Sequence, residues 1–122
     1  MSEELVFVYG TLRRGASNHF RMQGAEFLKA GSIRGRLFLV TWYPALSCGG
    51  ADWVKGELYR VSSGLLSELD EFEGCEYRRG KTEISLEDGT SEQAWVWEWR
   101  GETSHLERLL SGDWLQDERS SL

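Results

Sequence analysis

Val6-Phe7-Val8-Tyr9-Gly10-Thr11-Leu12-Arg13 is the stretch on which the reading of this 122-residue chain turns. Leu5 to Tyr9 is short, apolar and β-branched on both faces, which is the pattern of a central strand. Gly10 then lets the chain leave sharply, because glycine tolerates positive φ and leaves space beside the backbone. A loop at a strand end presents N–H groups that no ladder pairs. Such donors suit a carboxylate, or a carbonyl oxygen that is becoming negative. Tyr9 and Thr11 add hydroxyls, and Arg13 adds a charge. The glycine spacing of a dinucleotide fingerprint is missing, and so is the Gly-Lys-Ser/Thr of a phosphate loop.

Outward from that stretch, the length predicts one domain, residues 1–122, with a single core. Apolar residues make up 40% and aromatics 12%, with six Trp, so material for that core is ample. One Pro and no internal repeat leave no sign of a linker. A formal charge of −6 argues against nucleic acid, whose phosphates need clustered Lys and Arg. Arg13-Arg14 and Arg78-Arg79 read either as solvated charges or as anchors for an anionic substrate. The acidic N-terminus and the shortness of the first apolar run predict neither signal peptide nor membrane span. Cys48 and Cys75 lack redox or disulfide spacing, so a cytoplasmic protein with reduced thiols is expected. His19 and His105 have no ligand-spaced partners, so no metal and no other cofactor is expected. Nothing in the pattern specifies an oligomeric state.

Further along, Asn18 is expected to cap a short helix through Met22 or Gln23, closed by Gly24. Glu26 to Val40 is strand-rich and expected to break at Gly31 and Gly35 into two segments. Tyr43-Pro44 and Gly49-Gly50 read as loop. Trp53 to Val61 alternates as a half-buried strand, and Ser62 or Ser63 caps a following helix. Tyr77 to Leu86 and Gln93 to Trp99 are strands joined by a tight turn at Asp88-Gly89. Thr103 to Leu110 reads as a short helix. Gly112-Asp113-Trp114-Leu115 is expected to tuck one Trp against the body, with 115–122 a frayed tail. The sum is an α+β chain: a small, curled, barrel-like mixed sheet with two or three short helices outside.

The segment Leu65-Leu66-Ser67-Glu68-Leu69-Asp70-Glu71-Phe72-Glu73-Gly74 carries an anomaly. At about 100° per residue, Leu65, Leu66, Leu69 and Phe72 span an arc of roughly 120°, a normal core-facing stripe. Glu68 and Glu71 lie outside that arc. Glu73 falls inside it, and Asp70 sits just beyond its edge. A carboxylate on an apolar face loses solvation, and its pKa rises toward the range useful for acid–base catalysis at neutral pH. The competing reading is that the helix frays before Gly74 and leaves Glu73 an ordinary surface acid.

These residues, in order, resemble the γ-glutamylcyclotransferase-like family. The likeness is carried by Tyr9-Gly10-Thr11-Leu12-Arg13 with Gly15 and Asn18, by Tyr43-Pro44-Ala45-Leu46, and by Gly56-Glu57-Leu58-Tyr59. Leu69-Asp70-Glu71-Phe72-Glu73-Gly74, Tyr77-Arg78-Arg79 and Gly112-Asp113-Trp114 complete it. The resemblance implies a small barrel-like sheet with a ligand cavity at one mouth. It implies a reaction in which a small γ-glutamyl compound releases its amine as the glutamyl group closes to 5-oxoproline. It also implies that loop N–H groups from Tyr9 to Leu12 hold the glutamyl head and that Glu73 is the general acid and base. Helix geometry and resemblance thus meet on one residue. Tyr77 reads either as orienting Glu73 or the substrate, or as packing. Relatives commonly carry Tyr where this chain has Trp97, and an indole can donate a hydrogen bond but not accept one.

Three other readings compete. The same fold could serve as a non-catalytic module that binds a glutamyl-like ligand. The same residues could hydrolyse a γ-glutamyl amide. Cys75 could act as a nucleophile, although no neighbouring His supports that.

Overall fold

The computed structural model describes residues 3–117. Five strands close into a barrel: β1 (Glu3–Val8), β2 (Glu26–Val40), β3 (Tyr43–Ser62), β4 (Tyr77–Leu86) and β5 (Ser91–Trp99). Around the ring the order is β3-β1-β5-β4-β2, and β2 pairs back onto β3 to complete it. Only β1 and β5 run parallel, through Val6 and Trp95. The other pairs are antiparallel, so the sheet is mixed as expected. One α-helix, α1 (Ser63–Glu73), lies outside. A two-residue strand, β6 (Glu107–Arg108), is added beside β2.

Because β1 is covered on both sides, its alternation sorts two cores. Phe7 and Tyr9 point into the barrel with Ile33, Leu46, Val96 and Trp114. Val6 and Val8 point outward to Leu66 and Leu69 of α1, together with Tyr59 and Trp97. That double burial is why the strand is apolar at every position from Leu5 to Val8. Trp114 is 1% exposed and belongs to the barrel interior, so the tuck expected at Gly112-Asp113-Trp114 is present.

Several expectations need correction. Gly31 and Gly35 do not divide β2. They sit where it is crowded: an added Cβ at Gly31 would meet the Ser85 carbonyl at 2.7 Å, and at Gly35 that of Ser47 at 2.8 Å. Tyr43 and Pro44 open a strand, and the turn before them is Thr41-Trp42. Gly49 and Gly50 are part of β3, in an excursion over 49–52 where the partner of β2 jumps from Cys48 to Trp53. Asn18 caps nothing with its side chain, and the helix after it is a single 3-10 turn, His19–Met22. Thr103 to Leu110 is no helix. Its backbone turns once and then pairs with β2, with the Leu109 N–H donating to the Leu37 carbonyl. Of the tail expected over 115–122, Leu115 and Gln116 lie in a 3-10 turn capped by Asp113. Residues 118–122 lie outside the described residues. No described helix is long and apolar enough to cross a membrane.

Candidate active site

A cavity of about 220 Å³ opens at the barrel end where β1 stops. Four segments build it: the loop Tyr9–Leu12, the start of β3 at Tyr43 and Pro44, the end of α1 at Phe72 and Glu73, and the start of β4 at Tyr77. Trp97 of β5 forms part of the wall. The loop can lie so close to β3 only because position 10 is glycine. A Cβ there would come within 2.5 Å of the Pro44 Cγ. Among the described residues, the amides of Gly10, Thr11 and Leu12 have no protein acceptor. They line the cavity.

Glu73 reaches this cavity because α1 is held at both ends. Ser62 caps the start, its side chain accepting from the Leu65 N–H at 3.1 Å. Gly74 closes the end at φ 73°, ψ −170°, donating its N–H to the Asp70 carbonyl. The helix therefore does not fray before Glu73, and Leu66 and Leu69 are buried against the barrel. The Glu73 carboxylate accepts no hydrogen bond from a described residue. Burial, and secondarily the charge of Asp70 one turn back, push its pKa up to about 7. At that value both protonation states are populated at neutral pH.

The surrounding polar groups are fixed by one another. The Trp97 indole N–H donates to Asp70 at 2.9 Å, and Arg79 pairs with the same oxygen at 3.0 Å. The Tyr9 hydroxyl donates to the Trp97 carbonyl, and the Tyr77 hydroxyl to the Pro44 carbonyl, both at 2.8 Å. Burial raises the pKa of both phenols, with lesser contributions from nearby acidic groups that include Glu73. Both rings are thus clamped with their protons engaged.

Of the residues singled out by sequence, Glu73, Tyr9, Gly10, Thr11, Leu12 and Tyr77 are brought together here. Arg13 is not. Its guanidinium turns away to Glu57 and Asp113, at 2.8 Å each. Cys75 is exposed and Cys48, inside β3, has its thiol pushed up to about 11 by burial, then by Glu98. Sequence reading passed over Trp42 and Glu76 at the rim of the cavity. Neither belongs to a periodic pattern that would mark it.

The family model for AIG2-like γ-glutamyl cyclotransferases matches residues 6–116. The chain belongs to that family. A Vibrio cholerae protein provisionally named a γ-glutamylcyclotransferase is 40% identical over 119 residues, covering 93% of this chain and 97% of that one. A Danio rerio protein named γ-glutamylaminecyclotransferase A is 35% identical over 107 residues, 75% of this chain and 66% of that protein. Among solved structures, an uncharacterised Pyrococcus horikoshii protein superposes with a TM-score of 0.73 at 32% identity, covering 91% and 89% of the two chains. An AIG2-like protein from Mus musculus does so at 0.78 and 29% identity, covering 88% and 86%. The closed mixed barrel with one helix is thus the fold of this cyclotransferase family, whose members are named for action on small γ-glutamyl compounds.

Proposed function

We propose that this chain is a γ-glutamylcyclotransferase that cleaves a γ-glutamyl amide, releasing the amine and 5-oxoproline. The observation that carries the reading is the meeting, in one cavity, of a poorly solvated carboxyl at Glu73 and the free amides of Gly10, Thr11 and Leu12.

The substrate's own α-amine attacks its γ-carbonyl carbon. A C–N bond forms in the new ring, and the C–N bond of the amide breaks. Glu73 takes the proton from the attacking amine and returns it to the departing nitrogen, so no water or second protein nucleophile enters the balance. Loop amides near Gly10 to Leu12 hold the glutamyl head and stabilise the oxyanion. Ring closure is intramolecular, so holding the chain folded supplies much of the advantage. Tyr9 and Tyr77, clamped through their protons, wall the glutamyl pocket. Asp70 tunes Glu73 by charge, and Trp97 and Arg79 keep it in place.

The test is incubation with γ-glutamyl amino acids and γ-glutamyl amines, measuring 5-oxoproline, glutamate and free amine. Oxoproline is expected, and glutamate in its place would mean hydrolysis. Glu73→Gln keeps the shape and removes the base, so turnover should fall by a factor of about 10² to 10⁴ with folding retained. Asp70→Asn should lose less. Full activity in Glu73→Gln would overturn the mechanism, and ligand binding without turnover in the wild type would favour the binding-module reading.

A further inference from the structure

The loop Tyr9–Leu12 is engaged on its carbonyl side and open on its amide side. The Gly10 carbonyl accepts the Arg13 N–H at 3.0 Å, and the Thr11 carbonyl accepts the Asn18 N–H at 2.8 Å. In a planar trans peptide the C=O and the following N–H point opposite ways. Tying back these two carbonyls therefore turns outward the amides of Thr11 and Leu12, which have no acceptor among the described residues. The third carbonyl, that of Leu12, is held by a side chain instead, Nδ1 of His19 at 2.9 Å. Only the Leu12 Cα separates this carbonyl from the Leu12 N–H, so freeing the one lets the other turn.

The imidazole is itself well placed to act as a fixed donor. A carbonyl can only accept, so the shared proton sits on Nδ1, and the ring offers that donor whether neutral or charged. It is half-buried and packs on Tyr59 of β3, with ring centroids 6.2 Å apart and planes at 48°. Tyr59 is buried, and its hydroxyl donates to Glu57 at 3.1 Å. Met22, at the other end of the 3-10 turn that His19 begins, is buried in one cluster with Leu12 and Tyr59. The barrel wall thus fixes the imidazole, and the imidazole fixes the Leu12 peptide. His19 is not among the residues lining the cavity, so its effect on a bound ligand passes through the loop.

We infer that His19 is a positioning residue, whose Nδ1–H aims the Thr11 and Leu12 amides at the glutamyl head and at the oxyanion that forms on it. The inference rests on the proposed activity and goes beyond it by giving a role to a side chain outside the cavity.

The experiment compares His19→Leu, His19→Asn and His19→Gln with the wild type. Leu keeps an apolar body against Tyr59 and has no donor. The Asn amide nitrogen takes the place of Nδ1, and the Gln amide nitrogen that of Nε2. Values of kcat and KM are measured for γ-glutamylalanine and γ-glutamylbutylamine. Affinities for the same two compounds are measured by calorimetry with Glu73→Gln added, which reports binding apart from turnover. His19→Leu and His19→Gln should lose roughly tenfold to a hundredfold in kcat/KM, mostly in kcat, while the melting temperature holds. Their affinities should fall roughly threefold to tenfold, and His19→Asn should bring both quantities to within about threefold of the wild type. Nitrogen-15 spectra should show the wild-type ring protonated on Nδ1, and Thr11 and Leu12 amide signals that shift in Leu and Gln and return in Asn. Unchanged kinetics and affinity in His19→Leu would overturn the inference, as would a loss that Asn shares equally or a ring protonated on Nε2 alone. A loss that only follows a fall in melting temperature would overturn it too. Absence of turnover in the wild type, with the affinities ordered as stated, would overturn the proposed activity and leave the role of His19 standing. Absence of binding by both compounds would overturn the two together.

Discussion

Glu73 should be a burden on the fold, and the sign of that burden can be worked out. Its carboxyl holds a proton up to about pH 7 in the folded protein, against an ordinary value of 4.5. Between those values the folded state binds more protons than the unfolded state, so stability falls as pH rises. The penalty is absent below pH 4.5 and complete above pH 7. At 1.36 kcal/mol per unit its ceiling is roughly 3 kcal/mol. Glu73→Gln should therefore be more stable than the wild type at pH 8, by about 1–3 kcal/mol, and no more stable at pH 4. Urea denaturation at the two pH values reads this directly. An equal difference at both would mean that the gain comes from packing and not from removing a poorly solvated charge. The same residue would thus be the most expendable for stability and the least expendable for turnover.

At the scale of elements, α1 and the turn that ends it decide where that carboxylate points. Gly74 lies at φ 73°, ψ −170°, a region essentially reserved for glycine. Gly74→Ala should cost about 1–3 kcal/mol and disturb Glu73, so that thermal stability and kcat fall together. A loss of stability with kcat untouched would show that the helix end can re-form without moving the acid. This element was legible because its signals are local: a Ser cap, a stripe of Leu and Phe, and a glycine stop lie within 13 residues, 62–74. The long β2–β3 hairpin was not. Gly31 and Gly35 look like breaks in one dimension, but cross-strand pairing carries β2 through them, and Gly49 and Gly50 lie in an excursion of β3 that the pairing steps across. Thr103 to Leu110 went wrong for the same reason, since docking on Phe38 and Leu39 overrode its helical pattern. Trp42 and Glu76, brought to one rim from residues 34 apart in sequence, could only be found once the barrel was closed.

At the scale of the molecule, the barrel is tied shut by an ion cluster. Arg13, 11% exposed at its side chain, pairs with Glu57 of β3 and with Asp113 beside Trp114. The free oxygen of Glu57 accepts the Arg14 N–H and the Tyr59 hydroxyl, at 2.9 Å and 3.1 Å. Asp113 also accepts the Leu115 N–H. One guanidinium thereby fixes the end of the loop Tyr9–Leu12, the middle of β3 and the C-terminal turn whose Trp114 fills the core. Its partners lie 44 and 100 positions away, which is why the sequence suggested a substrate contact and not this one. Arg13→Ala leaves two mostly buried carboxylates without their cation, and such a loss typically destabilises by about 3–5 kcal/mol. The expected result is a large fall in denaturation midpoint, with KM close to wild type in the fraction that remains folded. A raised KM at unchanged stability would return Arg13 to the substrate. That outcome would require the guanidinium to leave both carboxylates and swing into the cavity, stranding Glu57 and Asp113 each time a ligand bound. The loop Tyr9–Leu12, whose Gly10, Thr11 and Leu12 amides have no acceptor among the described residues, is anchored at its far end by Arg13.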